Sequence, residues 1–419
     1  MRPVVRNKKR TLAPHGALRH HFGTMGLWMA DFIYLDNQAT TPTDPRVRDA
    51  MLPFLEVGAV GNPHSEHVAG RHAAAAVENA RRQVADLIGA RPDEIVFTSG
   101  ATEANNIALQ GIARSVHRRG DHILTCATEH KCVLETMNFL TRNGFRVEVL
   151  PVDSNGVIDI AALTAAITGE TALVSIMAAN NEIGVLQPIG DIGAICQSRG
   201  VVFHTDAAQA AGKISLDVKA LGVDLLSLSG HKLYAPIGVG ALYVSDASPV
   251  RPEPLFWGGG QESGLRSGTV APHLCVALGA ASSIARRELT RDAESAAACR
   301  HRFLEAIRAY CPDVRVNGDR SPRLPGNLSL TFPGVDADRL VGSVQPHIAV
   351  STNAACSAGV LQPSHVLLAL GLSDADAAST IRVGFGRFNT HTEIEAAAER
   401  LGTAAIHIRQ SETLDIAAA

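Results

Sequence analysis

Short apolar runs alternating with amphipathic segments over most of the chain predict an α/β protein whose main sheet is mostly parallel and covered by helices on both faces. Two further observations extend this. The apolar run from Val223 ends at Ser229-Gly230-His231-Lys232, so a lysine follows a strand end, at the sheet edge where α/β proteins place their chemistry. Strand signals also return after a long Ala-rich helical stretch, which implies a second, smaller α/β layer. There is no internal repeat and no low-complexity linker.

In order, Phe32 to Asp36 reads as a short strand, Asn37 to Pro42 as a polar loop, and Gly61 to Ser65 as a turn. Ala74, Val77, Val84, Leu87 and Ile88 recur at helical spacing, which predicts a helix over Arg71 to Ile88 stopped by Gly89. The pattern continues with strands at Glu94–Thr98, His122–Thr125, Phe145–Leu150, Ala172–Met177 and Val201–His204. Between them lie helices at Thr102–His117, Lys131–Thr141, Asp159–Ile167 and Ile192–Ser198. Val239 to Val244 is expected as the last strand of the sheet. A helical stretch runs from Ala271 to Tyr310, followed by strands at Asn327–Phe332 and Ile348–Val350 around a helix at Asp336–Val344.

With 419 residues, 46% apolar content and no apolar run near the roughly 18 residues that a membrane span needs, the chain reads as globular with two or three domains. A formal charge of -3 gives no pull toward nucleic acid or a membrane surface. The seven cysteines are odd in number and scattered without a CxxC pair, which disfavours a disulfide framework and predicts a reducing, cytoplasmic setting. Cys126 and Cys132 flank His130, but no second ligand cluster accompanies them, so no metal site is expected. Residues 1–30 carry basic side chains and no acid; they read as a disordered extension or an over-long start, with an organelle presequence as the alternative.

Four stretches gather chemistry. Phe97-Thr98-Ser99-Gly100-Ala101-Thr102-Glu103 runs from a strand through a glycine turn into a helix, either a simple N-cap by Ser99 or Thr102 or an anion site on the first helical N–H groups. Val201 to Gln209 ends a strand in Asp206, which either caps the next helical turn or holds a pyridinium N–H, with Gln209 on the same side. His130 opens a helix and can stack on a ring or shuttle a proton. Ala349 to Gly359 is a small-residue segment around Cys356, read as a mobile exposed loop offering a thiol. Arg382, in a strand-like context, can clamp a carboxylate or pair with a core acid. Lysine is scarce: Lys8 and Lys9 lie in the basic tail, Lys219 in an exposed turn and Lys213 at the start of an extended piece, which leaves Lys131 and Lys232 as candidate functional amines.

At these residues the chain resembles the NifS/IscS type of cysteine desulfurase, pyridoxal-phosphate enzymes of aminotransferase class V. The matching stretches include Tyr34-Leu-Asp-Asn-Gln-Ala-Thr-Thr-Pro42, Phe97 to Glu103, Thr128-Glu-His-Lys131, Asn180-Asn-Glu-Ile-Gly184, Ser229-Gly-His-Lys232, Arg266-Ser-Gly-Thr269 and the Cys356 segment, in the family's order. The resemblance implies the type I fold of pyridoxal-phosphate transferases, with a seven-stranded, mostly parallel sheet in a large domain at 46–290. It further implies a small domain at 291–419 carrying the cysteine, and a segment at 31–45 packed on it.

By the same resemblance, Lys232 would hold pyridoxal 5'-phosphate covalently, His130 would stack on its ring, Asp206 would pair with the pyridine nitrogen and Gln209 would bond its phenolic oxygen. Ala101, Thr102, Ser229 and His231 would cradle the phosphate, with Thr269 reaching over from the partner of a homodimer. Asn181 and Arg382 would grip the carboxylate of L-cysteine. Cys356 would take the sulfur as a persulfide, leaving L-alanine. It would pass the sulfur to an acceptor protein, an iron-sulfur scaffold or another carrier, with at most a transient iron-sulfur contact at Cys356. Two positions depart from the pattern: Ala235 and Ile237 stand where the family more often has Gly and Lys. The rival expectations are a class V aminotransferase or selenocysteine lyase, and a sulfur-delivery partner with little activity of its own.

Overall fold

The computed structural model describes residues 32–115, 117–352, 355–357 and 360–418; the extension expected at 1–30 lies outside them. After a two-residue strand β1 (Ile33–Tyr34), the main sheet is built from β2 (Ile95–Thr98), β3 (His122–Cys126), β4 (Arg146–Leu150), β5 (Thr171–Ser175), β6 (Val202–Asp206), β7 (Leu225–Ser229) and β8 (Gly240–Val244). Their order is β2-β8-β7-β6-β5-β3-β4. β3, β4, β5, β6 and β7 pair parallel, whereas β8 runs antiparallel to both neighbours. β8 is the last of these strands in sequence, as expected, but it is inserted between β2 and β7. The cause is the connection from β7, which holds only a 3-10 turn and no crossover helix, and a parallel partner requires such a crossover.

Helices cover both faces. The helix Val68–Ile88 buries Ala73, Val77, Ala80, Val84 and Ile88 at helical spacing, and Gly89 closes it in the left-handed conformation at φ +70°. This stripe lies against the 39-residue helix Pro272–Tyr310 so closely that a Cβ on Gly279 would meet the Ala80 Cα at 2.6 Å. The long helix serves two cores. Cys275, Leu278 and Ile284 join the core of the main sheet, whereas Cys299, Phe303 and Ile307 join a second core with Leu330, Phe332, Ile381 and Leu401. The expected boundary between residues 290 and 291 therefore falls within one continuous helix.

The second core sits on an antiparallel sheet of β9 (Arg315–Val316), β10 (Asn327–Thr331), β12 (Ser351–Thr352) and β15 (Thr380–Gly384), in the order β12-β15-β10-β9. The intervening β11 (Ile348–Ala349) pairs parallel with β1, which brings Ile33 and Leu35 into this second core. Cys356 lies on β13 (Ala355–Ser357), antiparallel to β14 (Val360–Gln362). The irregular loop expected there is a two-stranded hairpin, because small residues that build no core still close a main-chain ladder with an adjacent run such as Val360 to Gln362. No helix among the described residues is long and apolar enough to cross a membrane.

Candidate active site

The ends of β6 and β7 and the segments that follow β2, β3 and β5 deliver side chains to one place. β7 is buried along its whole length and closes at Gly230, whose N–H donates to Val239 O (2.9 Å) and where a Cβ would meet Val239 Cγ1 at 2.9 Å. The tight 3-10 turn beyond it projects Lys232 back across the sheet edge. Tyr234 holds the next turn at φ +65°, a costly conformation for a residue with a Cβ. Thr41 Oγ1 accepts from Tyr234 N (2.8 Å), Tyr234 O accepts from Asp44 N (3.0 Å), and the Arg387 guanidinium lies 4.3 Å over the ring. The left-handed residue is thus Tyr234 and not Ala235, so the methyl group at 235 carries no backbone strain. Ile237 is 73% exposed and gives the rim of the site an apolar side chain.

The turn from β2 into the helix Ala101–Arg114 approaches from the other side. Gly100 adopts φ +152° and is packed on β8, where a Cβ on Gly240 would meet Gly100 Cα at 2.6 Å. No side chain caps this helix at Gly100, so the first-turn N–H groups are not taken by a capping side chain. Of the two readings of this turn, the side-chain cap by Ser99 or Thr102 is not formed.

Between these elements is a cavity of about 450 Å³. Ala101, Thr102, His130, Asn181, Asp206, Gln209, Ser229, His231, Lys232 and Arg382 all line it. Thr269 does not: it is exposed beside a separate hollow with Ser99 and Gly238. Cys356 is placed by its backbone only, on β13. Lys131 is exposed at the start of its helix, which leaves Lys232 as the sequence-predicted amine of the cavity.

Charge gathers here with few opposite partners: Asp206 and Arg382 are buried, Lys232 and His231 half-buried and His130 exposed. Lys232 Nζ donates to the carbonyls of Gln38 and Ala39, each at 2.5 Å, and meets no carboxylate within ion-pair distance among the described residues. Burial, then Arg382, brings its pKa down to about 8, against the opposite pull of Asp36 and Asp206. Burial, then Lys232 and Lys213, brings His231 down to about 4. His130 caps the helix Lys131–Arg142, its Nδ1 accepting from Cys132 N (3.2 Å), and burial lowers its basicity more than Asp206 raises it. Asp206 ends β6 with one oxygen accepting from Ala208 N (2.9 Å) and the other from Asn105 Nδ2 (2.7 Å). Arg382 donates through Nη2 to Asp36 (2.9 Å) and through Nη1 to Asn181 O (3.3 Å), so it pairs with an acid while still facing the cavity.

Asn105, Glu129 and Lys213 are part of this arrangement and are not singled out by the sequence. Glu129 precedes His130, accepts from Met177 N (2.5 Å), and burial followed by the Asp206 charge raises its pKa to about 8. Its place in Thr128-Glu-His-Lys131 is the one signal that marks it. Cys126 is buried against Thr128 and Glu129 rather than His130, and burial pushes its thiol beyond the usual range. Among the described residues no group of His, Cys, Asp and Glu gathers to hold a metal.

The model of the family "Aminotransferase class-V" matches residues 33–397. A cysteine desulfurase of Mus musculus is 52% identical over 369 residues, 88% of this chain and 80% of that protein. A mitochondrial cysteine desulfurase of Arthroderma benhamiae is 53% identical over 366 residues, 87% of this chain and 72% of that protein. Among solved structures, a NifS-like protein superposes with a TM-score of 0.82 at 37% identity, covering 89% of this chain and 98% of that one. These relatives correct one expectation. The cytoplasmic setting does not stand, because several relatives at this identity, those of Arthroderma benhamiae and Drosophila melanogaster among them, are named mitochondrial. Unpaired cysteines report a reducing environment and not which compartment supplies it.

Proposed function

This chain belongs to the class V aminotransferase family of pyridoxal-phosphate enzymes and acts as a cysteine desulfurase, and from that premise we propose that the cavity at Lys232 binds pyridoxal phosphate and L-cysteine with the residues that line it. The residues present fit that group. The uncapped start of the helix Ala101–Arg114, with Thr102, Ser229 and His231, suits a phosphate. Asp206, 5% exposed at the end of β6, suits a protonated ring nitrogen. The observation that carries the reading is Lys232, a cavity amine of lowered basicity that donates only to backbone carbonyls.

When bound, pyridoxal phosphate supplies an electron sink that makes the substrate's α-proton removable and its C–S bond weak. Lys232 would hold the group and its Nζ would take the α-proton; a pKa of about 8 leaves enough free amine near neutral pH for that work. Asp206 would keep the ring nitrogen protonated, and Asn105 holds the Asp206 carboxylate in place. His130 covers the ring. Asn181 and Arg382 orient the substrate carboxylate. Cys356, as the thiolate, would attack the substrate sulfur, forming the S–S bond of a persulfide as the C–S bond breaks; the electron pair stays on the carbon, which is protonated and released as alanine, and the outer sulfur passes to an acceptor protein.

The test is a single assay on purified protein loaded with cofactor: visible absorption, then alanine and sulfide after cysteine addition, for wild type and Cys356→Ala. Wild type gives alanine and a persulfide, and the variant gives neither. A keto acid in place of alanine would replace this reading with a transaminase. We assign the exposed Thr269 to the site of a second copy, which predicts a homodimer by light scattering; a monomer that is fully active would exclude that role.

A further inference from the structure

Lys213 belongs to the pocket although it does not line the cavity. It follows Gly212, which adopts φ +70° and is hemmed in by Leu233 and Ala285, so the chain turns inward there. Its Nζ donates to Gln209 Oε1 at 2.9 Å, and Gln209 Nε2 donates to Gln38 O at 2.9 Å, the same carbonyl that accepts from Lys232 Nζ. This chain of contacts fixes the amide of Gln209. The Gln38 carbonyl only accepts, so the NH2 of Gln209 must face it and the Gln209 oxygen is turned to Lys213, whose amine can donate to it in either protonation state. A flipped amide would set donor against donor and acceptor against acceptor. One N–H of that NH2 remains for a ligand oxygen in the cavity.

Lys213 has no carboxylate within ion-pair distance among the described residues. The charged and titratable groups around this part of the site are Asp36 before the first loop, His130, Asp206, His231, Lys232 and Arg382. On the far side, Asp292 and Arg387 border Lys213 but pair with each other at 2.7 Å. Burial, with Lys232 and Arg382 as like charges, brings Lys213 down to about 7.

Resting on the cofactor reading of this cavity, we propose that Lys213 is a positioning residue, which locks the Gln209 amide so that its NH2 is presented to the ring oxygen of the cofactor and whose charge opposes protonation of the amine at Lys232. Both effects favour the deprotonated form of the lysine-bound cofactor. Removing Lys213 raises the pH at which that form appears.

The experiment titrates the visible band of the cofactor-loaded protein against pH for wild type, Lys213→Met, Lys213→Arg, Gln209→Leu and the Lys213→Met/Gln209→Leu pair. For Lys213→Met the midpoint is expected to rise by about 0.5–1 unit, the scale of one nearby charge and one hydrogen bond. Lys213→Arg restores most of it, and the double variant shifts less than the sum of the two singles. A Lys213→Met midpoint equal to wild type, or strictly additive shifts, overturns the proposal even if the variant melts at lower temperature, since a packing role alone leaves the midpoint in place. If Lys213→Met loses the cofactor, Lys213→Gln is read by the same criterion. A wild type without any visible band would sink the cofactor reading itself, a result distinct from bands that are present and unshifted.

Discussion

Two partly buried charged regions lie on either side of Tyr234 and are built on opposite principles. In one, Arg387, 5% exposed, pairs with Asp44 at 2.7 Å and Asp292 at 2.7 Å, while Arg46 joins Asp44 and Glu288. In the other, Lys232 and Lys213 reach only carbonyl oxygens, and Glu129 has one oxygen without a partner. The first region has neutralised its own charge and ties Asp44 to the second unit of the fold. The second leaves its groups with shifted proton affinities and room for a ligand. Burial of charge by itself therefore marks neither stability nor function; the deciding factor is whether the partners are already present.

Lys232→Ala should draw the sharpest line between the two regions. It should cost about a thousandfold or more in alanine production, with a melting temperature of the unloaded protein no lower than wild type, because a desolvated cation disappears with no ion pair broken. A large loss of stability in that variant would make Lys232 a structural residue and erase the contrast. Arg387→Met is the converse. Removing the buried cation that Asp44 and Asp292 share, with Arg46 and Arg291 still beside them, should cost about 3 kcal/mol in denaturant unfolding, while the fraction still folded keeps its midpoint in the cofactor titration.

The smallest effect is in pH. Arg46 first, then Arg387, hold the Asp44 carboxyl well below the usual range in the folded protein, against burial. A depressed carboxylate contributes stability that is present above its unfolded pKa of about 3.9 and is lost as pH falls toward the folded value. Thermal melts from pH 6 to 3 should therefore fall more steeply for wild type than for Asp44→Asn. Parallel slopes would show that the ion cluster contributes nothing through Asp44.

Much of this site was legible along the chain. Lys232 and Asp206 each follow a buried run ended by a turn, and the Gly100 turn sits between a strand and a helix, so local periodicity places all three at one sheet edge. Asn105 and Lys213 were not legible. Asn105 lies mid-helix and meets Asp206 only because that helix packs across β6, and Gly212-Lys213 reads as a loop lysine until Leu233 and Ala285 close around it. The hairpin around Cys356 was hidden for a related reason, since small residues carry no period although their main chain can still pair.

The sequence by itself determined the order of the elements, the sheet-edge residues and the family, because these depend on neighbours in the chain and on motifs kept in order. Only the tertiary structure decided that β8 enters the sheet antiparallel and that one helix serves two cores. It also decided that the half-buried Lys213 meets no carboxylate among the described residues while the Arg387 side chain is buried between two. The physical reason is that burial and charge pairing are set by contacts between distant segments, such as Asp44 with Arg387 and Gln38 with Lys232, to which no local pattern refers.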